Sequence, residues 1–177
     1  MFSAQSRQNL ADVFERAARS TIARSPEDAW EIIAAPPSTA TAGDPLLIIT
    51  TSSFAFRLLT IFHVADNDAN RAYFLPAGAG GTLQEVFAEV VNLCCGAVNR
   101  EISAVFPHLA MSVPSRLSAQ CIDYLPQLKP DHTSRFTVSI NGTVKVDVTL
   151  CMCCSAPIDL PVTLAAPVQT SGELEMF

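Results

Sequence analysis

Residues 82–105 constrain the fold more than any other stretch of the chain. Thr82, with Glu85 three residues on, is a capping-box signature, and Pro107 ends any helix that the box opens. Between them Leu83, Val86, Phe87, Val90, Val91, Cys94, Cys95, Val98, Ile102 and Val105 recur at helical spacing. The polar remainder is one stripe. Glu85, Glu89, Asn92, Gly96 and Asn99 follow one another at intervals of 4, 3, 4 and 3 residues, which places them within an arc of roughly 80°. A helix about 35 Å long and apolar on most sides has to be covered by other elements.

Those elements are readable on either side of it. Residues 46–52 and 54–64 are rich in β-branched and aromatic residues and predict two strands, and further strands are expected near 109–118, 134–141 and 143–152. Around Asn141-Gly142-Thr143 the alternation decides the turn. Phe136, Val138 and Ile140 share a face with Val144, Val146 and Val148 only if Ile140 opposes Val144 across a three-residue loop. The two-residue loop that Asn-Gly normally implies would turn Lys145 and Asp147 onto the apolar face.

Upstream, Leu10, Val13, Phe14, Ala17, Ala18 and Ile22 predict a helix over 5–23. Ser25-Pro26-Glu27-Asp28 has the form of a second helix start, running through Trp30 and Ile33. Residues 35–45 predict a loop, and Asp66 is expected to cap a short helix ending near Leu75. The fold class is therefore α+β: an antiparallel sheet packed against a long central helix, with flanking N-terminal helices. Residues 1–157 form a single domain in this reading, and 158–177 a C-terminal tail or arm.

The composition narrows the function. Eleven basic residues against seventeen acidic give a net charge of −6, which opposes nucleic-acid binding. No apolar run approaches the ~18 residues of a membrane span, and residues 1–7 carry no apolar signal core, so a cytoplasmic location is expected. Hydrophobic residues make up 49% and charged residues only 16%, a balance that favours a surface covered in part by a second copy, hence a homodimer.

Several motifs fail on their chemistry. Asp66-Asn67-Asp68 begins like a calcium loop, but the positions that need glycine and glutamate hold Arg71 and Ala77. Gly78-Ala79-Gly80-Gly81 lacks the lysine and hydroxyl of a phosphate loop and reads as a flexible entry to the long helix. Cys94, Cys95, Cys121, Cys151, Cys153 and Cys154 show no paired ligand spacing with His63, His108 or His132, so packing thiols, reduced and without metal, are expected. The stripe itself admits two readings from spacing alone: the solvated edge of a buried helix, or a carboxylate pair for acid–base or metal chemistry with no third ligand nearby.

Glu89-Val90-Val91-Asn92, then twenty-one residues, then Pro114, resembles the signature of the CheC/CheX/FliY response-regulator phosphatases: Asp or Ser, three residues, Glu, two residues, Asn, twenty-one residues, Pro. Gly96, one turn after the asparagine, also matches the family's habit. A single such element resembles CheX rather than CheC, and the similarity spans residues 44–152. Glu85 stands where the family has Asp or Ser, and Ser115-Arg116-Leu117 lacks the glycine that often follows the proline. The resemblance implies hydrolysis of the aspartyl-phosphate of a CheY-like response regulator in chemotaxis signalling, or a catalytically silent binding or scaffold module of the same fold. It implies that Asn92 orients the water and that Glu89 pairs with the regulator's lysine, with Glu85, Gly96 and Asn99 facing the partner. No cofactor on this chain is implied, since Mg2+ belongs to the regulator.

Overall fold

The structure, a computed structural model, describes residues 2–34, 45–75 and 80–161. Three α-helices and seven strands follow in the order α1 (Ala4–Thr21), β1 (Trp30–Ala34), β2 (Pro45–Ser52), β3 (Phe56–His63), α2 (Asp68–Phe74), α3 (Leu83–Ser103), β4 (Ala110–Met111), β5 (Ser115–Ser118), β6 (His132–Ile140) and β7 (Val144–Cys154). A 3-10 segment, Ala119–Leu128, joins β5 to β6. The strands form one antiparallel sheet in the order β1-β6-β7-β3-β2, with β4 and β5 both on the outer edge of β2. The fold is α+β, a sheet packed against the long helix.

Alternation sets the faces of the sheet. Phe136, Val138 and Ile140 oppose Val148, Val146 and Val144, and with Phe62, Leu58, Leu47 and Ile49 they form the core beneath α1 and α3. Phe14 of α1 stacks on Phe62 and Phe136 with ring centroids 6.0 and 5.1 Å apart. The other face carries a smaller cluster. There Ile122 and Leu125 of the 3-10 segment pack on Leu46, Ile61 and Cys151.

The β6–β7 hairpin has the expected register. Ile140 pairs with Val144, and the three-residue loop accommodates Asn141 and Gly142 at φ of 53° and 70°. Two residues in the left-handed region suit Asn-Gly here, while the third residue keeps Lys145 off the apolar face.

The helix expected from Pro26 through Ile33 is not formed. Asp28 closes a turn, its N–H donating to the Ser25 carbonyl at 3.2 Å. Residues 30–34 are instead strand β1, pairing Trp30 with Ile140 and Ile32 with Val138. Apolar Trp30 and Ile32 flank Glu31, a two-residue period that fits an edge strand. The cap of α2 also differs. Asn67, not Asp66, accepts from the Asn70 N–H at 2.9 Å, and Asp66 pairs with Arg71.

The segment after β7 is held to α1. The Ser6 hydroxyl donates to Asp159 at 2.7 Å, the Asn9 amide donates to the Leu160 carbonyl, and Phe2 bridges to Ile158. Ile158 and Leu160 are buried in the main core, so packed structure extends past residue 157. Of the loop expected over 35–45, Pro45 already belongs to β2, and residues 35–44, Gly78-Ala79 and the tail beyond 161 lie outside the described residues. Among the described residues no helix is long and apolar enough to cross a membrane.

Candidate functional site

The site is built on α3, whose start is fixed locally. The Thr82 hydroxyl accepts from the Glu85 N–H at 3.3 Å, and the Glu85 carboxylate accepts from the Thr82 N–H at 2.8 Å and its hydroxyl at 3.0 Å. Those bonds, led by the one from the Thr82 backbone, hold the Glu85 carboxyl below the usual carboxylate range. The charge of Arg116 in β5 adds to the same lowering. Glu85 is thus committed to capping.

The body of the helix is anchored from below. Phe87, Val91, Cys94, Cys95, Val98 and Ile102 are all buried. Burial pushes the Cys94 thiol up to about 12 and raises Cys95 further, so neither supplies a nucleophile. None of the six cysteines is bridged. Among the described residues no three His, Cys, Asp or Glu side chains gather as a metal site.

Along the outward side Glu89 is exposed, and Asn92, Gly96 and Asn99 are half-buried. Glu89 and Asn92 are three residues apart and so share one face. The Asn92 side chain makes no hydrogen bond among the described residues, leaving its amide donor and acceptor available together. Asn99 differs: its Oδ1 is buried with no partner, on the edge of the stripe nearest the core.

The outward face is wider than the polar stripe. Leu93 is 59% exposed beside Asn92. Arg100 also lies on this side, its Nη1 3.9 Å from where a Cβ at Gly96 would stand. The stripe therefore carries a cation, which a list of acids and amides alone passes over. Widening the helical arc to the exposed half-circle would have included both residues.

Pro114 lies in the segment that follows the outer edge of β2. α3 packs on β2, and the outer edge of β2 is followed by the segment 111–115. Thr51 pairs with Met111, the Thr50 N–H donates to the Ser112 hydroxyl at 3.0 Å, and Ile48 pairs with Ser115. Val113, immediately before Pro114, is 76% exposed. An unbonded, half-buried amide and an exposed carboxylate, with exposed Leu93 next along the same helix, make this an open surface rather than an enclosed pocket.

The fold is shared with solved structures of chemotaxis proteins and of a FliM middle domain. A putative chemotaxis protein from Desulfovibrio vulgaris Hildenborough is 14% identical, with 81% of this chain and 96% of that one covered and a TM-score of 0.55. CheX in a CheX–CheY–BeF3–Mg2+ complex from Borrelia burgdorferi is 10% identical, covering 83% of this chain and 97% of that one at 0.54. The FliM middle domain of Vibrio alginolyticus is 9% identical, covering 82% and 91% at 0.50. At these identities the likeness establishes a CheX/CheC-like fold. No family model and no curated protein matches the sequence.

Proposed function

We propose that this chain hydrolyses the aspartyl-phosphate of a CheY-like response regulator, ending a chemotaxis signal. The observation that carries the reading is the pair Glu89 and Asn92, one turn apart on the outward face of a capped helix, in a fold shared with a CheX crystallised with CheY.

The chemistry asks little of the protein. Water attacks phosphorus, the bond to the aspartyl oxygen breaks with its electron pair left on the carboxylate, and the water's proton leaves with the phosphate. Phosphoryl transfer of this kind is governed by positioning and charge stabilisation. A carboxamide both donates and accepts, so Asn92 can hold the water in line without titrating. Glu89 can pair with a regulator lysine and fix the docking register. Mg2+ is supplied on the regulator, and this chain contributes no metal ligand to the step. Leu93 provides an apolar contact beside the polar pair, and Arg100 offsets the acids on the same face. The low charged fraction of the chain supports a homodimer as the working form.

The test follows decay of a phosphorylated CheY-type regulator with and without this chain. Accelerated decay that disappears in Asn92→Ala supports the phosphatase. Binding without acceleration would replace it with a silent binding module, a reading favoured by the shared fold of a FliM middle domain.

A further inference from the structure

A cleft lies away from the α3 stripe. It has a volume of about 580 Å3 and is formed by the last turn of α1 and the segment that follows, with Arg16, Arg19 and Arg24 among its walls. Arg16 reaches Glu101, which stands sixteen residues after Glu85 and hence on the opposite side of α3 from the stripe. On a chain of net charge −6, three guanidinium groups around one cleft are a local inversion of charge.

Arg16 is paired with Glu101, whereas Arg19 and Arg24 have no ion pair among the described residues. Asp28 is the one carboxylate in the lining, and its oxygens are already taken. Oδ2 accepts from the Tyr73 hydroxyl at 2.6 Å and from the N–H groups of Ser25 and Arg24 at 3.0 and 3.1 Å, and Oδ1 accepts from the Asn141 amide at 2.8 Å. Arg24 donates through Nη1 to the Tyr73 carbonyl, a neutral acceptor that fixes the side chain without cancelling its charge. Arg19 has no hydrogen bond or ion pair among the described residues. Two guanidinium charges, one of them held in place, therefore face a cleft whose single carboxylate, Asp28, is engaged by neutral donors and offsets only one of them.

We propose that this cleft binds an organic phosphate. Guanidinium forks match phosphate oxygens in pairs, and Ala23 and Pro26 offer an apolar wall for the organic part. The volume falls in the range of small-molecule sites, about 300–1,000 Å3, larger than a bare phosphate fills. The site is independent of Asn92 and Glu89, and its test reads binding rather than turnover.

The experiment is titration calorimetry of the full chain with adenosine 5′-monophosphate and glucose 6-phosphate, with adenosine and inorganic phosphate alongside. Saturable one-to-one binding of at least one ester, with Kd below about 1 mM, is expected. Adenosine should not bind, and inorganic phosphate should bind more weakly than the ester. Arg19→Gln, a surface change that leaves the Arg24 contacts in place, should weaken the ester by about tenfold, the scale of one charge-assisted contact. Failure of both esters to bind, an unchanged affinity in Arg19→Gln, or inorganic phosphate binding as tightly as the ester would each overturn the proposal.

Discussion

Asn141 at the tip of the β6–β7 hairpin donates its amide at 2.8 Å to Asp28, 113 residues earlier in the chain. The same side chain accepts the Ala29 N–H at 2.9 Å, and its backbone N–H donates to the Ala29 carbonyl at 2.9 Å. One turn residue thus fixes both the hairpin tip and the entry to β1.

The Tyr73 hydroxyl leads the set of bonds that holds the Asp28 carboxyl at about 2, against an ordinary 3.8. A depressed acid stabilises the fold above its unfolded value and loses that contribution as the pH falls through the folded one. The gap in thermal midpoint between the wild type and Asp28→Ala should therefore be full above pH 3.8 and close as the pH falls to about 2. Tyr73 behaves in the opposite sense. Burial first, then Asp28, raises it from 10.0 to about 12, so its contribution holds below pH 10 and fades as the pH rises to 12. Melting curves across both ranges check the pair.

Asn9→Ala removes the donor to the Leu160 carbonyl, a buried bond. An unsatisfied buried acceptor costs about 1–3 kcal/mol. Denaturant unfolding should show that loss in the midpoint with little change in slope.

Thr82→Ala breaks the capping box at the start of α3. The expected cost is about 1 kcal/mol, largely recovered by Thr82→Ser. Equal stability of the alanine and serine variants would show that the box contributes nothing.

Asn92→Ala and Glu89→Ala should separate in the regulator-decay assay. Asn92 is half-buried and unbonded, so its loss should change stability by less than ~1 kcal/mol while lowering the rate by about a hundredfold. Regulator binding should persist. Glu89→Ala should lower affinity and rate together, because a docking contact is removed. A normal rate in Asn92→Ala would end the water-orienting assignment.

Alkylation under native conditions should spare Cys94 and Cys95, which are fully buried with raised thiols. Cys121 and Cys153 are partly exposed and should label first. Peptide mass mapping before and after denaturation gives the order.

What was legible in the sequence was local or strictly periodic. Thr82 and Glu85 announce α3 because both partners lie within one turn, and the Ile140–Val144 register follows from an alternation that allows one loop length. Trp30–Ala34 was not legible as a strand. Ser25-Pro26-Glu27-Asp28 imitates a helix start, and the bonds that decide otherwise come from Asn141, far away in sequence. The 3-10 segment over Ala119–Leu128 contains Pro126 and has no sustained period to read. In the site, the outward placing of Glu89 and Asn92 followed from helical angles. Arg100 and Leu93 lay just outside the polar arc and needed the packed helix to show how much of its circumference stays uncovered.

The edge of β2 beside the candidate site is closed in an unusual way. Two short pieces, two residues of β4 and four of β5, share it, and Pro114 between them has no N–H to give. Such an edge is a poor template for another strand. A partner approaching Asn92 from this side cannot zip onto the backbone as an added strand. Under the proposed function, recognition there runs through side chains, with Leu93, Glu89 and Arg100 the exposed ones on α3, and substitutions at these positions should change the partner without disturbing the sheet.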